Sequence, residues 1–248
     1  MNSPLPTPLI SLVFVLFAHT SVFSQATTFT GRVTDQNTGQ AISDVAIVAQ
    51  GNLTGTRVAV SDAQGNYTLE MGSNTNIKVR AYRKNFIFNP ALAGFTSIGG
   101  FITGSRSLDF TGAALPFPIL IFAQAPIVLT EDSSLRALAV DSVFHLRDPL
   151  KLVNNDYFGS DKRTRLILTL VDLDLFQGET VSIVTVQAQD KTMVTHNLVV
   201  EDLRKVPGVP WMSQLTVRLP DVLATPNDLT ITVTARNATS NPVTFHVE

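Results

Sequence analysis

The sequence predicts an all-β protein of two β-sandwich domains joined by a proline-containing linker. Three observations carry this. Clusters of Gly, Asp and Asn punctuate the chain at intervals of roughly eight to twelve residues from 27 to 112, the rhythm of short sandwich strands. Near the C-terminus Leu229, Ile231, Val233 and Ala235 alternate with Thr230, Thr232, Thr234 and Arg236, the period-two pattern of a strand with one buried face. Fifteen Phe and abundant Val, Ile, Leu and Thr favour strands, and Ala is not gathered into helical runs. At 248 residues the chain is long enough for two domains, each with its own core.

Taken in order, residues 1–24 read as a secretory signal. The apolar run 9–18 is too short to span a bilayer but suits a signal core, and Val22 and Ser24 fit the small-residue rule for a cut before Gln25. No Lys or Arg precedes the run, so a retained N-terminal membrane anchor is the alternative. No second apolar run is long enough to span.

Residues 27–112 form the first predicted sandwich, with strands at 28–34, 45–50, 57–61, 67–71, 77–82 and 107–111. Between 85 and 104 the composition turns to Phe, Asn, Pro, Ala and Gly, which predicts an irregular excursion laying Phe86, Phe88 and Phe95 against the sheets. The linker covers 113–126. Pro116 and Pro118 hold it extended and remove donors. Its apolar stretch 119–122 is expected to pack on a domain. Residues 127–248 form the second sandwich, with strands at 166–171, apolar on both faces and therefore central, 214–219, 229–236 and 243–247. The segment 237–241 should turn a terminal hairpin, and 221–224 is short enough for a single helical turn.

Composition excludes several functions. A net charge of −2 without a basic run offers nothing to nucleic acid or an anionic membrane. The chain has no cysteine, which for an exported β-protein points to a bacterial source, rules out a lipoprotein signal and strips a zinc site of its best ligands. Asn52, Asn66 and Asn237 head glycosylation triplets of a kind that arises by chance in Thr-rich strands.

Catalytic constellations are scarce. Beyond the signal only His145, His196 and His246 remain, with no spacing that places two on one face; His246 falls on the wet side of its strand, and His196 on a hairpin turn rising into a strand. Asp172 and Asp174 flank Leu173 and, if extended, project on one face about 7 Å apart, a pairing a glycosidase or a calcium ion could use, or simply a charged solvent face. Asp35, Asn37 and Gly39 resemble the start of a calcium loop but lack its later ligands, so a turn capped by Asp35 is expected. There is no glycine-flanked serine elbow, no phosphate loop and no dinucleotide fingerprint. No catalytic, cofactor or metal residue is assigned.

Flat rings that could stack on a sugar are the remaining ligand candidates. Tyr67 starts a strand and reads as core. Tyr82, Tyr157 and Trp211 are the candidate contacts; Trp211 lies in a Pro/Gly loop where it either packs or faces solvent.

Gly31, Val33 and Asp35, then Gly39, Ile42, Val45 and Ile47, then Asp62, Gly65, Tyr67 and Leu69 resemble the carboxypeptidase regulatory-like domain, a prealbumin/transthyretin-like β-sandwich. That resemblance covers about a third of the chain and implies a non-catalytic module, some relatives of which bind starch-like glycans. In the second half, the run from Val206 through Pro207 and Gly208, then Gln214, Val217 and Pro220, and finally the run from Ser240 to Val243, are similar to an immunoglobulin-like C-terminal domain of exported bacterial proteins. The resulting expectation is an exported, non-enzymatic structural or adhesion module of the cell envelope. The alternatives are a carbohydrate-binding protein and an accessory hydrolase using Asp172 and Asp174. Expected partners are a glycan or an envelope protein, recruited in the latter case through an unpaired strand edge.

Overall fold

The computed structural model describes residues 26–115, 124–220, 223 and 225–248. The signal segment and the 119–122 run lie outside them, as does all but Leu223 of 221–224. The described residues are strands, turns and one 3-10 turn, Val181–Ile183. No helix among them is long and apolar enough to cross a membrane.

In chain order the strands are β1 (Thr27–Asp35), β2 (Ala46–Gly51), β3 (Gly55–Val60), β4 (Asn66–Met71), β5 (Asn76–Tyr82), β6 (Phe86–Asn89), β7 (Ala93–Thr96), β8 (Gly104–Ser107) and β9 (Phe110–Ala114). Then follow β10 (Ile127–Val128), β11 (Ala139–Asp141), β12 (Arg165–Val171), β13 (Val184–Gln189), β14 (Thr195–Val206), β15 (Val209–Arg218), β16 (Asn227–Ala235), β17 (Ala238–Thr239) and β18 (Val243–Val247).

The first sandwich packs a sheet ordered β4-β1-β9-β6, with β8 also on β1, against a sheet ordered β3-β2-β5-β7. Phe29, Val33, Tyr67, Leu69, Met71 and Phe110 from one sheet meet Ile47, Ala49, Ile77, Val79 and Ala81 from the other. The turn acids cap backbone as expected. Asp35 Oδ1 accepts from the amides of Asn37 and Thr38, both at 2.9 Å, and those donors hold its carboxyl below the usual range. Asp62 Oδ1 accepts from Gln64 and Asn66 at 2.9 and 2.8 Å. Gly31 is required because β1 passes against the crossing from β8 to β9: a Cβ there would stand 2.0 Å from the Leu108 carbonyl oxygen.

The 85–104 stretch is more regular than its composition predicts. It supplies β6 to the edge of one sheet and β7 to the edge of the other. Each is a four-residue edge strand, short enough to pass for loop in sequence. The phenylalanines do pack inward: Phe88 is buried, Phe86 and Phe95 are half-buried, and Phe95 sits 5.1 Å from Phe29, ring to ring.

The second sandwich is one nine-stranded sheet, β10-β12-β15-β14-β13-β16-β17 with β11 on β12 and β18 on β16, folded over its own core. Leu166, Leu168, Leu170, Leu215 and Val217 face Val184, Val186, Leu229, Ile231 and Val233. The fold line is β14, which pairs with β13 through 195–198 and with β15 from Val199 onward, with a register shift between Val200 and Asp202. A bulge bends a strand, which lets one strand serve both halves. β18 has β16 on one side and single parallel bridges to Arg136 and Leu150, so its outer edge is covered.

Candidate functional site

β2 has no wet face. Its residues 46–49 are apolar and buried without alternation. Ile47 and Ala49 point into the first core, whereas Ala46 and Val48 join Tyr82, Ile127, Leu129 and Val171 in a third cluster, with Val58, Leu138, Trp211 and Met212 packed around it. Because successive side chains of a strand point to opposite faces, this cluster lies on the outer face of the β3-β2-β5-β7 sheet and seats it on β10, β12 and β15. The two sandwiches share a core.

Polar contacts rim that core at both ends. At the β2–β3 hairpin, the Thr56 amide donates to Thr130 Oγ1 and the Thr130 amide to Thr56 Oγ1, each at 2.8 Å and buried, while Arg57 pairs with Asp132. At the other end stand Asp172 and Asp174. β12 stops at Val171, and Asp172 takes φ 61°, so the extended geometry expected from alternation is broken. The turn aims both carboxylates at the first sandwich. Asp172 Oδ2 lies 3.3 Å from Arg80 Nη2, and Asp174 accepts from the Tyr82 hydroxyl and pairs with Lys205, whose ammonium stands 5.7 Å over the Tyr82 ring. The segment behind them is pinned by Ser213 Oγ donating to the Leu173 carbonyl at 2.8 Å and by Arg236, which donates to the Asp174 carbonyl at 2.6 Å and pairs with Glu179.

Burial dominates the electrostatics. It pushes Asp172 up to about 7 even though Arg80 pulls the other way, and it lowers Arg80 despite Asp172. The Tyr82 phenol is held protonated far above its ordinary range by burial and by Asp174. A catalytic acid pair needs room for a substrate between its oxygens. Here the side chains are only 19 % and 10 % exposed, covered by Arg80 and Tyr82 of the first sandwich and by Lys205 of the second. The solvent-face reading of Asp172 and Asp174 is therefore corrected, because the turn at Asp172 points them into the interface. Chemically the constellation is a clamp.

The candidate rings are placed as follows. Tyr67 is core, its hydroxyl donating to the Leu108 carbonyl. Tyr82 is 8 % exposed inside the clamp. Tyr157 is buried beside Phe144, its hydroxyl 3.3 Å from Thr164 Oγ1, next to a cavity of about 410 Å³. Trp211 sits in β15, past the Pro207-Gly208 turn, half-buried against the shared core. None of the four is a free platform, and only Trp211 keeps appreciable exposure. His246 and His196 are each held by an aspartate, Asp228 at 2.7 Å and Asp190 at 3.3 Å. Among the described residues no group of three or more His, Cys, Asp or Glu could hold a metal.

Sequence reasoning missed Arg80, Lys205 and Arg236, which match an ordinary charged surface in composition. The one available signal was the apolar run 45–49, since a strand without alternation is buried on both faces. A groove of about 750 Å³, missed for the same reason, runs between the sandwiches alongside the clamp.

No family model matches the chain, and no curated protein does. Among solved structures it is similar to BcpA, the major pilin subunit of Bacillus cereus, at 10% identity over 90% of this chain and 69% of that one, with a TM-score of 0.29. It is also similar to the Bacillus anthracis TIE protein, at 6% identity over 90% and 49% with a TM-score of 0.29. A mutant of the shaft pilin SpaA from Lactobacillus rhamnosus GG matches at 9% identity over 90% and 93%, with a TM-score of 0.26. Scores of this size identify no family, and the carboxypeptidase regulatory-like resemblance has no support from a family model.

Proposed function

We propose that this chain is an exported, non-catalytic structural module of the bacterial cell envelope, in which two sandwiches are clamped into one rigid spacer. The observation that carries this is the shared core with its polar rim: the side chains best suited to chemistry, Asp172, Asp174, Lys205, Arg80 and Tyr82, are engaged in holding the sandwiches together. Export rests on the signal-like 1–24 segment, and a bacterial source on the absence of cysteine. We read the first sandwich as a carboxypeptidase regulatory-like module on the strength of Gly31, Asp35, Gly39, Asp62 and Gly65, and the second as an immunoglobulin-like domain.

The test is fractionation of the tagged full chain in a bacterial host, together with a panel of glycosidase and peptidase substrates. Recovery in the envelope fraction without turnover supports the reading. Cytoplasmic retention, or turnover that Asp172→Asn or Asp174→Asn abolishes, overturns it.

A further inference from the structure

The second sandwich covers only part of the sheet face on which it sits. Side chains on that face form rows across the strands: Val58, Val48 and Arg80 in one, and Thr56, Gln50, Lys78 and Gly94 in the next. The first row lies under the shared core and the clamp. In the second, Thr56 is taken by Thr130, but Gln50 and Lys78 are left as the floor of the 750 Å³ groove. The opposite wall includes Pro126, at the end of the linker, and Leu135 and Pro242 from the second sandwich.

Four features give this groove a chemistry. The Gln50 amide and the Lys78 ammonium have no side-chain partner among the described residues, although every other charged or amide side chain bordering the groove makes at least one bond. Among the described residues no Asp or Glu borders it, so none of them compensates the Lys78 charge there; Arg80, at the interface side, is 8 % exposed, is paired with Asp172 and leaves its Nε without a partner among them. Gly94, directly across from Lys78 on the neighbouring strand, has open space where a Cβ would be, so the sheet face beside Lys78 is unobstructed on that side. The facing proline and leucine surfaces offer flat apolar contact.

We propose that the groove binds an acidic oligosaccharide, with a uronate carboxylate on Lys78, hydroxyls on Gln50 and the sugar's C–H face against Pro126, Leu135 and Pro242. An acidic peptide fits less well, because the floor is the face of a sheet and not its edge. The peptide's own amides and carbonyls would find no backbone ladder there, whereas sugar hydroxyls both donate and accept and can use single side chains. The volume is within the range of small-ligand sites. The inference goes beyond the spacer reading and does not depend on it, since a clamped spacer with an empty groove would still be a spacer.

The test is isothermal titration of the full chain with trigalacturonate, maltotriose and a tri-glutamate peptide, with thermal melts of each variant alongside. Expected are binding of trigalacturonate, at least about tenfold weaker binding of the neutral sugar, a loss of about tenfold or more in Lys78→Glu, and near-retention in Lys78→Arg, the scale of one charge-assisted hydrogen bond. Gly94→Val, which adds bulk beside Lys78 on the same sheet face without touching a charge, should weaken binding several-fold with the melting temperature kept. Absence of trigalacturonate binding, equal affinity for maltotriose, tighter binding of the peptide, or undiminished binding by Lys78→Glu overturns the proposal.

Discussion

Replacing Tyr82 by Phe separates the clamp from the core beneath it. The ring stays packed with Ala46, Val48, Ile127, Leu129 and Val171, and only the hydroxyl that donates to Asp174 across the interface is removed. A hydrogen bond to a charged acceptor contributes about 1.5–3 kcal/mol, more than a neutral pair, because the acceptor is left under-satisfied when the donor goes. For a chain of this size each kcal/mol moves the melting midpoint by about 2–4 °C, so a loss of about 2 kcal/mol lowers it by roughly 4–8 °C. Urea unfolding followed by fluorescence reads the change at its source, because Trp211 is the sole tryptophan and packs on the shared core. A double-mutant cycle with Asp174→Asn isolates the pair from the Lys205 contact that Asp174 also makes. The comparison variant is Tyr67→Phe, whose hydroxyl bonds Leu108 inside the first sandwich. It should destabilise without altering the agreement between fluorescence and circular dichroism. A Tyr82–Asp174 coupling below about 0.5 kcal/mol would refute the claim that this contact holds the sandwiches together.

Other substitutions probe the remaining contacts. Asp172 has a native pKa raised to about 7 from 3.8, so the folded state holds the proton more tightly between those values. The stability of the wild type relative to Asp172→Asn should therefore fall as pH rises from about 4 to about 7, by an amount on the order of 4 kcal/mol, the Arg80 attraction being already contained in that shift. Urea midpoints of both proteins across that window check the sign, and a gap that widens with pH contradicts it. Gly55→Ala should destabilise by more than about 2 kcal/mol. Gly55 has φ +72°, and an added Cβ would stand 2.0 Å from the Ser134 carbonyl oxygen and 2.1 Å from Thr130 Oγ1 in the second sandwich. Phe158→Ser, at a position 93 % exposed, should shift the midpoint by no more than about 0.5 kcal/mol equivalent in the same assay.

Much of the architecture is legible in the sequence because period-two alternation is a direct imprint of a one-sided sheet. The predicted strand 243–247 coincides with β18, and 229–236 lies within one or two residues of β16. β14 was harder to read because it changes partners midway, and its exposed and half-buried residues follow no single period. β10, β11 and β17, at two or three residues, are too short to show any period. The clamp was hidden for a different reason. Its members come from β5, β14 and the turns after β12 and β16, and Tyr82 and Asp174 are 92 positions apart, so no local spacing links them. Asp172 and Asp174 stood out as a pair, but the direction they point depends on the positive φ at Asp172, which a non-glycine residue does not announce. The unalternating run 45–49 was the one local sign that something covers the outer face of the first sandwich.

Joined through a shared core, the two sandwiches should behave as one cooperative body. Urea unfolding of the chain followed in parallel by Trp211 fluorescence, which reports the shared core, and by far-ultraviolet circular dichroism, which reports both sandwiches, tests this directly. One transition with coincident midpoints is expected, and the midpoints separate in Tyr82→Phe as the interface opens first. A wild-type fluorescence change completed before the loss of β signal begins would contradict it.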